Sequence, residues 1–143
     1  MERIKLTLPA SFSFSTTLTI RVTDLNYGGH VGNDTFLSLM QEVRQQFLLH
    51  HGYGELNFAG VSLIMADSAI EYKKELNYGD AVKISVAATA FDKYSFDLYY
   101  KLEIVTGDEL VLAGKGKTGM LCYDYAKKKM VSVPGGAKEK LGV

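Results

Sequence analysis

One pattern constrains the fold of this chain more than any other. After residue 60, apolar and polar residues alternate with a period of two, in runs over 61–73, 81–91, 94–105 and 109–125. A period of two places successive side chains on opposite faces of a strand. Because short Gly- and Asp-containing turns join most of these runs, neighbouring strands are expected to be antiparallel. The second half of the chain therefore predicts four antiparallel strands.

A fifth strand and one long helix precede this half. Residues 12–22 alternate as a half-buried strand does. The helix is predicted to begin near Asp34, with Asn33 or Asp34 as its N-cap, and to end before Gly52. Apolar residues recur along it at helical spacing: Phe36, Leu39, Met40, Val43 and Phe47. Additional leucines off this stripe predict a helix that is apolar around more than half of its girth and buried on several sides.

Length and composition indicate one ordinary domain over residues 1–143, and the order of one strand, one helix and four strands makes it α+β. The 16 basic and 16 acidic residues cancel, which argues against a general nucleic-acid or membrane-surface binder. The chain has one cysteine, and it has neither a signal-peptide pattern nor an apolar run approaching the roughly 18 residues of a membrane span. We therefore expect a cytoplasmic protein. Residues 1–10 stay unassigned or form a short strand, and the tail from residue 126 is predicted to be peripheral.

The residues best suited to chemistry are concentrated between the first strand and the helix. Residues 24–33 read DLNYGGHVGN. The first backbone N–H groups of a helix have no intrahelical partner and carry positive partial charge, so a loop that enters a helix start is suited to hold an anion or polarise a carbonyl. Ordinary capping by Asn33 and Asp34 would explain the same residues without any function.

At this point the sequence resembles the hotdog-fold acyl-CoA thioesterases of the 4-hydroxybenzoyl-CoA thioesterase type. That family has a strand, an Asp-x-Asp-x-x-Gly-His-Val-Asn-Asn loop, an aromatic-Leu pair and a helical Glu-x-Ala-Arg. This chain has RVTDLNYGGHVGN at 21–33, FL at 36–37 and EVR at 42–44. Further on, IEY at 70–72 and LNYGD at 76–80 resemble the Tyr and Gly-Asp residues that the family has around its third strand. The resemblance covers about residues 12–125. It implies a hotdog fold, in which a five-stranded antiparallel sheet wraps around one long central helix.

The resemblance also implies an activity, which is hydrolysis of an acyl-CoA or acyl-carrier thioester to a free acid and a thiol. Coenzyme A would enter as part of the substrate, no metal or redox cofactor is expected, and the assembly would be a homodimer or homotetramer. The oxyanion donor of the family lies four residues after Gly29. This position gives the backbone N–H of Asn33, with Gly32 next to it and Val31 beside them in the substrate-binding loop.

One departure from the family pattern concerns the base. Asn26 stands where the family has its usual catalytic Asp, and an amide orients water or a carbonyl but does not act as a general base. Either Asp24 acts from a shifted position, or Glu42 acts from the helix as in a second branch of the fold, or hydrolysis is weak or absent. His30 is a further candidate that stabilises the loop or contacts the ligand.

Each of these residues has a simpler structural explanation. Asp24 and Asn26 suit a turn, and Glu42 suits a solvated helix face. The absent acid at position 26 motivates an alternative function, a protein that binds an acyl thioester without cleaving it. A hydratase on the same fold would need His30 to converge with an acid.

Cys122 is expected to pack as a small apolar residue. Lys115 and Lys117 are expected to lie on a solvated strand face rather than on coenzyme A phosphates.

Overall fold

The computed structural model describes residues 1–142 and confirms the predicted order of elements. A 3₁₀ turn, Val22–Asp24, follows the first strand. The strands and helices are β1 (Phe14–Thr19), α1 (Thr35–His50), β2 (Ser62–Tyr72), β3 (Ala81–Thr89), β4 (Ser95–Thr106), β5 (Glu109–Asp124), β6 (Lys129–Met130) and α2 (Ala137–Leu141). The predicted strand at 12–22 is shorter than expected, because the chain turns at Val22, whose side chain is exposed.

All strand pairs are antiparallel, and the five long strands follow the order β1-β3-β4-β5-β2. The short β6 pairs with the end of β5. β2 follows the helix in sequence but pairs with β5, so it lies at one edge of the sheet while β1 lies at the other. The long helix packs against one face of this sheet, which is the predicted hotdog arrangement.

Glycines on β5 let the helix approach the sheet closely. A Cβ at Gly116 would lie 2.6 Å from the terminal methyl of Met40, and one at Gly114 would lie 3.3 Å from the Phe36 ring. The side chains of α1 therefore occupy the space that larger strand residues would fill.

The predicted apolar stripe of α1 is buried, and so is Leu48 off this stripe, but two other off-stripe leucines are exposed. Leu37 and Leu49 are 37% and 60% exposed. Arg44, by contrast, is only 5% exposed. Its Nε donates to Glu55 at 2.8 Å and its guanidinium donates to the hydroxyl of the fully buried Tyr100 at 3.1 Å. One face of the helix is thus anchored to the sheet through a buried charge, while the opposite face is in solvent.

The tail is not peripheral. Ala137 and Leu141 of α2 are fully buried in the core, and Lys140 extends its ammonium to the carbonyl oxygen of His51 at 3.5 Å. The short helix therefore covers the C-terminal end of α1. The sequence did not predict this helix, because the tail is basic and Gly-rich and its two buried apolar residues, four apart, are too few to produce a periodic signal.

Candidate active site

The loop before α1 begins with a carboxylate that is bound to its own turn. Asp24 is 8% exposed. Its Oδ2 accepts the backbone N–H of Arg21 at 2.8 Å, and its Oδ1 lies 3.6 Å from the Arg21 guanidinium. This geometry is that of a turn residue, and it leaves the Asp24 carboxylate little freedom to move toward a ligand.

The glycine-rich part of the loop is a tight turn from Asn26 to His30. The N–H of Asn26 donates to the carbonyl of His30 at 2.9 Å, and the N–H of Gly29 donates back to the carbonyl of Asn26 at 3.1 Å. Gly29 has a φ of 85°, which favours glycine at this position. The side-chain oxygen of Asn26 accepts the N–H of Gly28 at 2.8 Å, while the rest of the residue is exposed.

The start of α1 is left without a side-chain cap. Asp34 is the N-cap by position, but its backbone is already helical (φ −67°, ψ −32°) and its side chain makes no capping hydrogen bond. The predicted N-cap position is therefore confirmed at Asp34, but its side chain makes no capping hydrogen bond. Within residues 1–142 the N–H of Asn33 has no hydrogen-bond acceptor. Gly32 is packed tightly beside it, since a Cβ there would lie 2.7 Å from Asp34 Oδ1.

A cleft of about 290 Å³ opens beside this helix start. It is lined by His30, Val31, Asn33, Phe36, Tyr72, Lys73, Lys74 and Glu75. The Tyr72 hydroxyl donates to the carbonyl oxygen of Asn33 at 2.9 Å, and its ring meets Phe36 edge-on at 5.1 Å. Burial and then the Asp34 carboxylate raise the pKa of Tyr72, so the hydroxyl remains a donor at neutral pH.

Glu42 lies apart from this cleft. It lines a second cavity, of about 410 Å³, together with Asp24, Arg21 and Ser38, and a third, of about 630 Å³, together with the loop after α1. The Glu42 carboxylate is exposed and accepts one hydrogen bond, from Gln46 Nε2 at 2.8 Å. The two candidate bases therefore share a cavity, whereas Val31, Asn33 and His30 line a different one.

Some residues of the cleft were not foreseen as site residues. Lys73 and Lys74 follow the edge strand β2, and the contact that brings this strand to the loop, Tyr72 to Asn33, joins residues 39 apart in sequence. The ring of His30 lies near one carboxylate, with Nε2 3.7 Å from Glu75 Oε1. Lys73 is paired with Glu71, so Lys74 is the cleft cation that no carboxylate within residues 1–142 neutralises.

The remaining candidates lie outside these cavities. Cys122 is buried, and burial raises the pKa of its thiol to about 11, which is unsuitable for a nucleophile. Lys117 is bonded to Asp67 at 2.7 Å on the outer face of the sheet. Residues 1–142 contain no group of three or more side chains able to hold a metal ion. No helix in the same range is long and apolar enough to cross a membrane.

Comparison with known proteins gives one family and many similar folds. The family model described as the thioesterase-like superfamily matches residues 20–141. A thioesterase-superfamily structure from Jannaschia sp. CCS1 superimposes with a TM-score of 0.81 at 18% identity, covering 93% of this chain and 83% of the other. A 1,4-dihydroxy-2-naphthoyl-CoA thioesterase from Synechocystis gives 0.73 at 18%, covering 85% and 89%.

A third similar structure is an Asp-to-Asn mutant of 4-hydroxybenzoyl-CoA thioesterase in complex with 4-hydroxybenzoyl-CoA. It gives a TM-score of 0.80 at 14% identity, covering 92% of this chain and 100% of the other. No protein with a curated description matches this sequence. At these identities the structures establish the shared fold, and they confirm the hotdog architecture that the sequence predicted.

Proposed function

Because this chain belongs to the thioesterase-like superfamily, we propose that it hydrolyses an acyl-CoA or acyl-carrier thioester. Water adds to the carbonyl carbon, the carbon–sulfur bond breaks, and a free acid and a thiol leave. The observation that carries the proposal is the N–H of Asn33, which has no acceptor within residues 1–142 and borders a cleft. Coenzyme A enters as part of the substrate, and no separate cofactor takes part.

The surroundings of this N–H favour a developing oxyanion. The start of a helix carries partial positive charge, and a preorganised donor in a partly enclosed site stabilises an oxyanion more strongly than water does. Lys74 and His30 add donors along the same cleft. Phe36 and Tyr72 supply an apolar wall against which an acyl group can pack.

Glu42 is the better of the two candidate bases. Asp24 is bound to Arg21 on both of its oxygens, whereas Glu42 is exposed and keeps one oxygen free of side-chain partners within residues 1–142. A helix rises about 1.5 Å per residue, so Glu42 lies about 13 Å along α1 from Asn33. One chain therefore does not bring both groups to one carbonyl, and the Glu42 that acts in the cleft belongs to a second copy.

A second copy also suits the edge of the sheet. β2 is an edge strand with its outer backbone unpaired, and two of its large side chains, Met65 and Tyr72, are 47% and 41% exposed. An exposed edge strand is a ready template for pairing with another chain. Because Tyr72 also lines the cleft, pairing through β2 would place the partner beside the proposed site. The active unit is a homodimer, alone or as half of a homotetramer.

The test is turnover of a panel of acyl-CoA thioesters, followed as release of free thiol. The wild type should exceed the background rate, and Glu42→Gln should lower kcat by about 100-fold or more, as loss of a general base does. Asp24→Asn is the matched carboxylate control and should change kcat much less. Equal losses in both variants would disprove the assignment of Glu42, and a wild-type rate at background for every thioester would disprove hydrolysis.

A second function is favoured by Asn26, which stands beside the helix start with no carboxylate to offer. An Asp-to-Asn mutant of a protein with this fold is known in complex with its acyl-CoA, which supports a chain that binds a thioester and does not cleave it. Calorimetry would then detect acyl-CoA binding while no thiol is released. Asn26→Asp should create hydrolysis in such a protein, whereas Asn26→Ala should not.

A further inference from the structure

The face of the sheet opposite α1 is covered by the first residues of the chain. The N–H of Leu6 donates to Glu71 Oε1 at 2.9 Å, and Lys115 Nζ donates to the carbonyl oxygen of Leu6 at 3.1 Å. Glu71 and Lys115 are cross-strand partners on β2 and β5. Further along, the ring of Phe12 lies 4.9 Å from the ammonium of Lys101 on β4. This N-terminal segment is therefore fixed across the outer face at two points.

A polar cavity of about 350 Å³ lies where the segment joins β1. It is lined by Ala10, Ser11, Phe12, Ser13, Phe14, Ser15, Lys83, Ser85 and Lys101. The lining has two ammonium groups and four hydroxyls but no carboxylate. Such a composition is suited to an anion, because lysine offers only donors and serine hydroxyls donate readily to charged oxygens.

Five of the six donor side chains of this cavity have no hydrogen-bond or ion-pair partner within residues 1–142, and the sixth is Lys101. Within residues 1–142, no carboxylate lies within 4.0 Å of Lys83 Nζ, and the four lining serines make no side-chain hydrogen bond. Lys101 has one acidic neighbour, Glu103, at 3.7 Å. Ser85 is only 4% exposed, and its hydroxyl is not among the fully buried unpaired atoms, so it opens onto the cavity.

The register of the sheet brings these donors together. Ser15, Ser85 and Lys101 are directly opposite one another on three adjacent strands. Lys83 lies two residues from Ser85 on β3 and faces Glu103, so it is a diagonal neighbour of Lys101, at a distance of about 7–8 Å. Flexible side chains at this separation reach the same small anion from two sides.

We propose that this cavity is a binding site for a phosphate or a phosphate monoester. Several donors arranged around a small volume suit a group with three or more acceptor oxygens better than a two-oxygen carboxylate, and lysine is a common point-charge partner of phosphate. The site lies on the face of the sheet opposite α1, away from the cleft at Asn33. Its ligand is either free phosphate or the phosphate of a larger molecule such as coenzyme A.

Calorimetric titration with inorganic phosphate at constant ionic strength tests the site without any need for turnover. The wild type should bind, and Lys83→Gln and Lys101→Gln should each weaken binding about tenfold, the effect of one lost charge-assisted hydrogen bond. Lys127→Gln, on an exposed turn, is the matched control and should bind as the wild type does. Thermal unfolding of each variant establishes that it is folded.

Two further titrations identify the source of the phosphate. If Lys83→Gln weakens coenzyme A but leaves dephospho-coenzyme A unchanged, the site holds the 3′-phosphate of coenzyme A. If it weakens inorganic phosphate alone, the site holds the free ion. No phosphate binding by the folded wild type, or equal binding by wild type and both lysine variants, would overturn the proposal. Either result leaves the thioesterase assay unaffected, so the two hypotheses fail separately.

Discussion

The two ends of α1 are built in opposite ways. At the C-terminal end, the carbonyl of Leu48 accepts the N–H groups of both His51 and Tyr53, the carbonyl of Leu49 accepts that of Gly52, and Lys140 reaches the carbonyl of His51. At the N-terminal end, no side chain caps the helix and the N–H of Asn33 has no acceptor within residues 1–142. The fold thus pairs backbone groups at the C-terminal end of α1, and the uncapped N-terminal end is the one that we propose binds a ligand.

The difference between the two ends of α1 indicates which end to test for activity. Asn26 stands where the resemblance places a catalytic acid, so the identities of the side chains alone do not locate a reaction. The proposed site is located instead by a backbone group, the N–H of Asn33, which has no acceptor within residues 1–142 and lies at the positive end of the helix dipole. We call the C-terminal end of α1 the closed end and its N-terminal end the open end. Changes at the closed end are predicted to alter stability, and changes at the open end are predicted to alter activity.

The largest effect is expected at Arg44, which anchors the closed half of α1 to the sheet. Arg44→Ala removes a buried guanidinium and leaves Glu55 and the hydroxyl of Tyr100 without it, which should lower the free energy of unfolding by about 3 kcal/mol. Arg21→Ala is the matched control, because its side chain is 76% exposed at 3.6 Å from Asp24, and should cost less than about 1 kcal/mol. Urea denaturation measures both, and equal losses would refute the anchoring role.

A pair of glycine substitutions compares the two ends directly. Gly52 has a φ of 79° and open space around a Cβ, so Gly52→Ala should cost about 1 kcal/mol of stability through backbone strain and leave kcat unchanged. Gly32→Ala should instead displace the Asp34 carboxylate, disturb the helix start and lower kcat/KM about tenfold. The predicted difference between the two ends is refuted if Gly32→Ala lowers the free energy of unfolding more than Gly52→Ala does. It is also refuted if Gly52→Ala lowers kcat/KM more than Gly32→Ala does.

A smaller effect is expected at Tyr72, whose hydroxyl fixes the peptide after Asn33. Tyr72→Phe removes this one partly exposed hydrogen bond, so kcat/KM should fall about threefold while stability changes by less than about 1 kcal/mol. Tyr78 is 68% exposed and its hydroxyl makes no hydrogen bond within residues 1–142, which makes Tyr78→Phe the control. An unchanged kcat/KM in Tyr72→Phe would show that the open end needs no support from β2.

The elements of the fold were predictable because their signals are local. Apolar and polar residues alternate along β4, and this pattern predicts which face of the sheet each side chain lies on. Phe96, Leu98 and Leu102 are buried as the pattern predicts. The position of the loop before α1 was predictable for the same reason. The burial of Arg44 was not, because its partner Tyr100 lies 56 residues away. Nor was the cleft, since its wall comes from the far strand β2, and α2 was missed because its core contacts rest on two residues.

The last prediction concerns pH and the closed end. Burial, then His50 and Lys140, lower the pKa of His51 below its model-compound value of 6.5. Its Nε2 is buried without a partner in residues 1–142, so a charged imidazolium would be poorly solvated there. Below pH 6.5 the unfolded chain therefore binds more protons than the folded one at this site, and stability falls with acidification until the folded pKa is passed.

Thermal unfolding between pH 7.5 and about 5 measures this contribution above the range in which most carboxylates titrate. The wild type should lose stability across the window, and His51→Gln should reduce that loss. Lys140→Gln should reduce it partly, because it removes one of the charges that disfavour a protonated His51. Lys138→Gln, on the same short helix, should retain the wild-type slope. If His51→Gln also retains that slope, the closed end of α1 does not contribute to the pH dependence, and its difference from the open end is confined to hydrogen bonding.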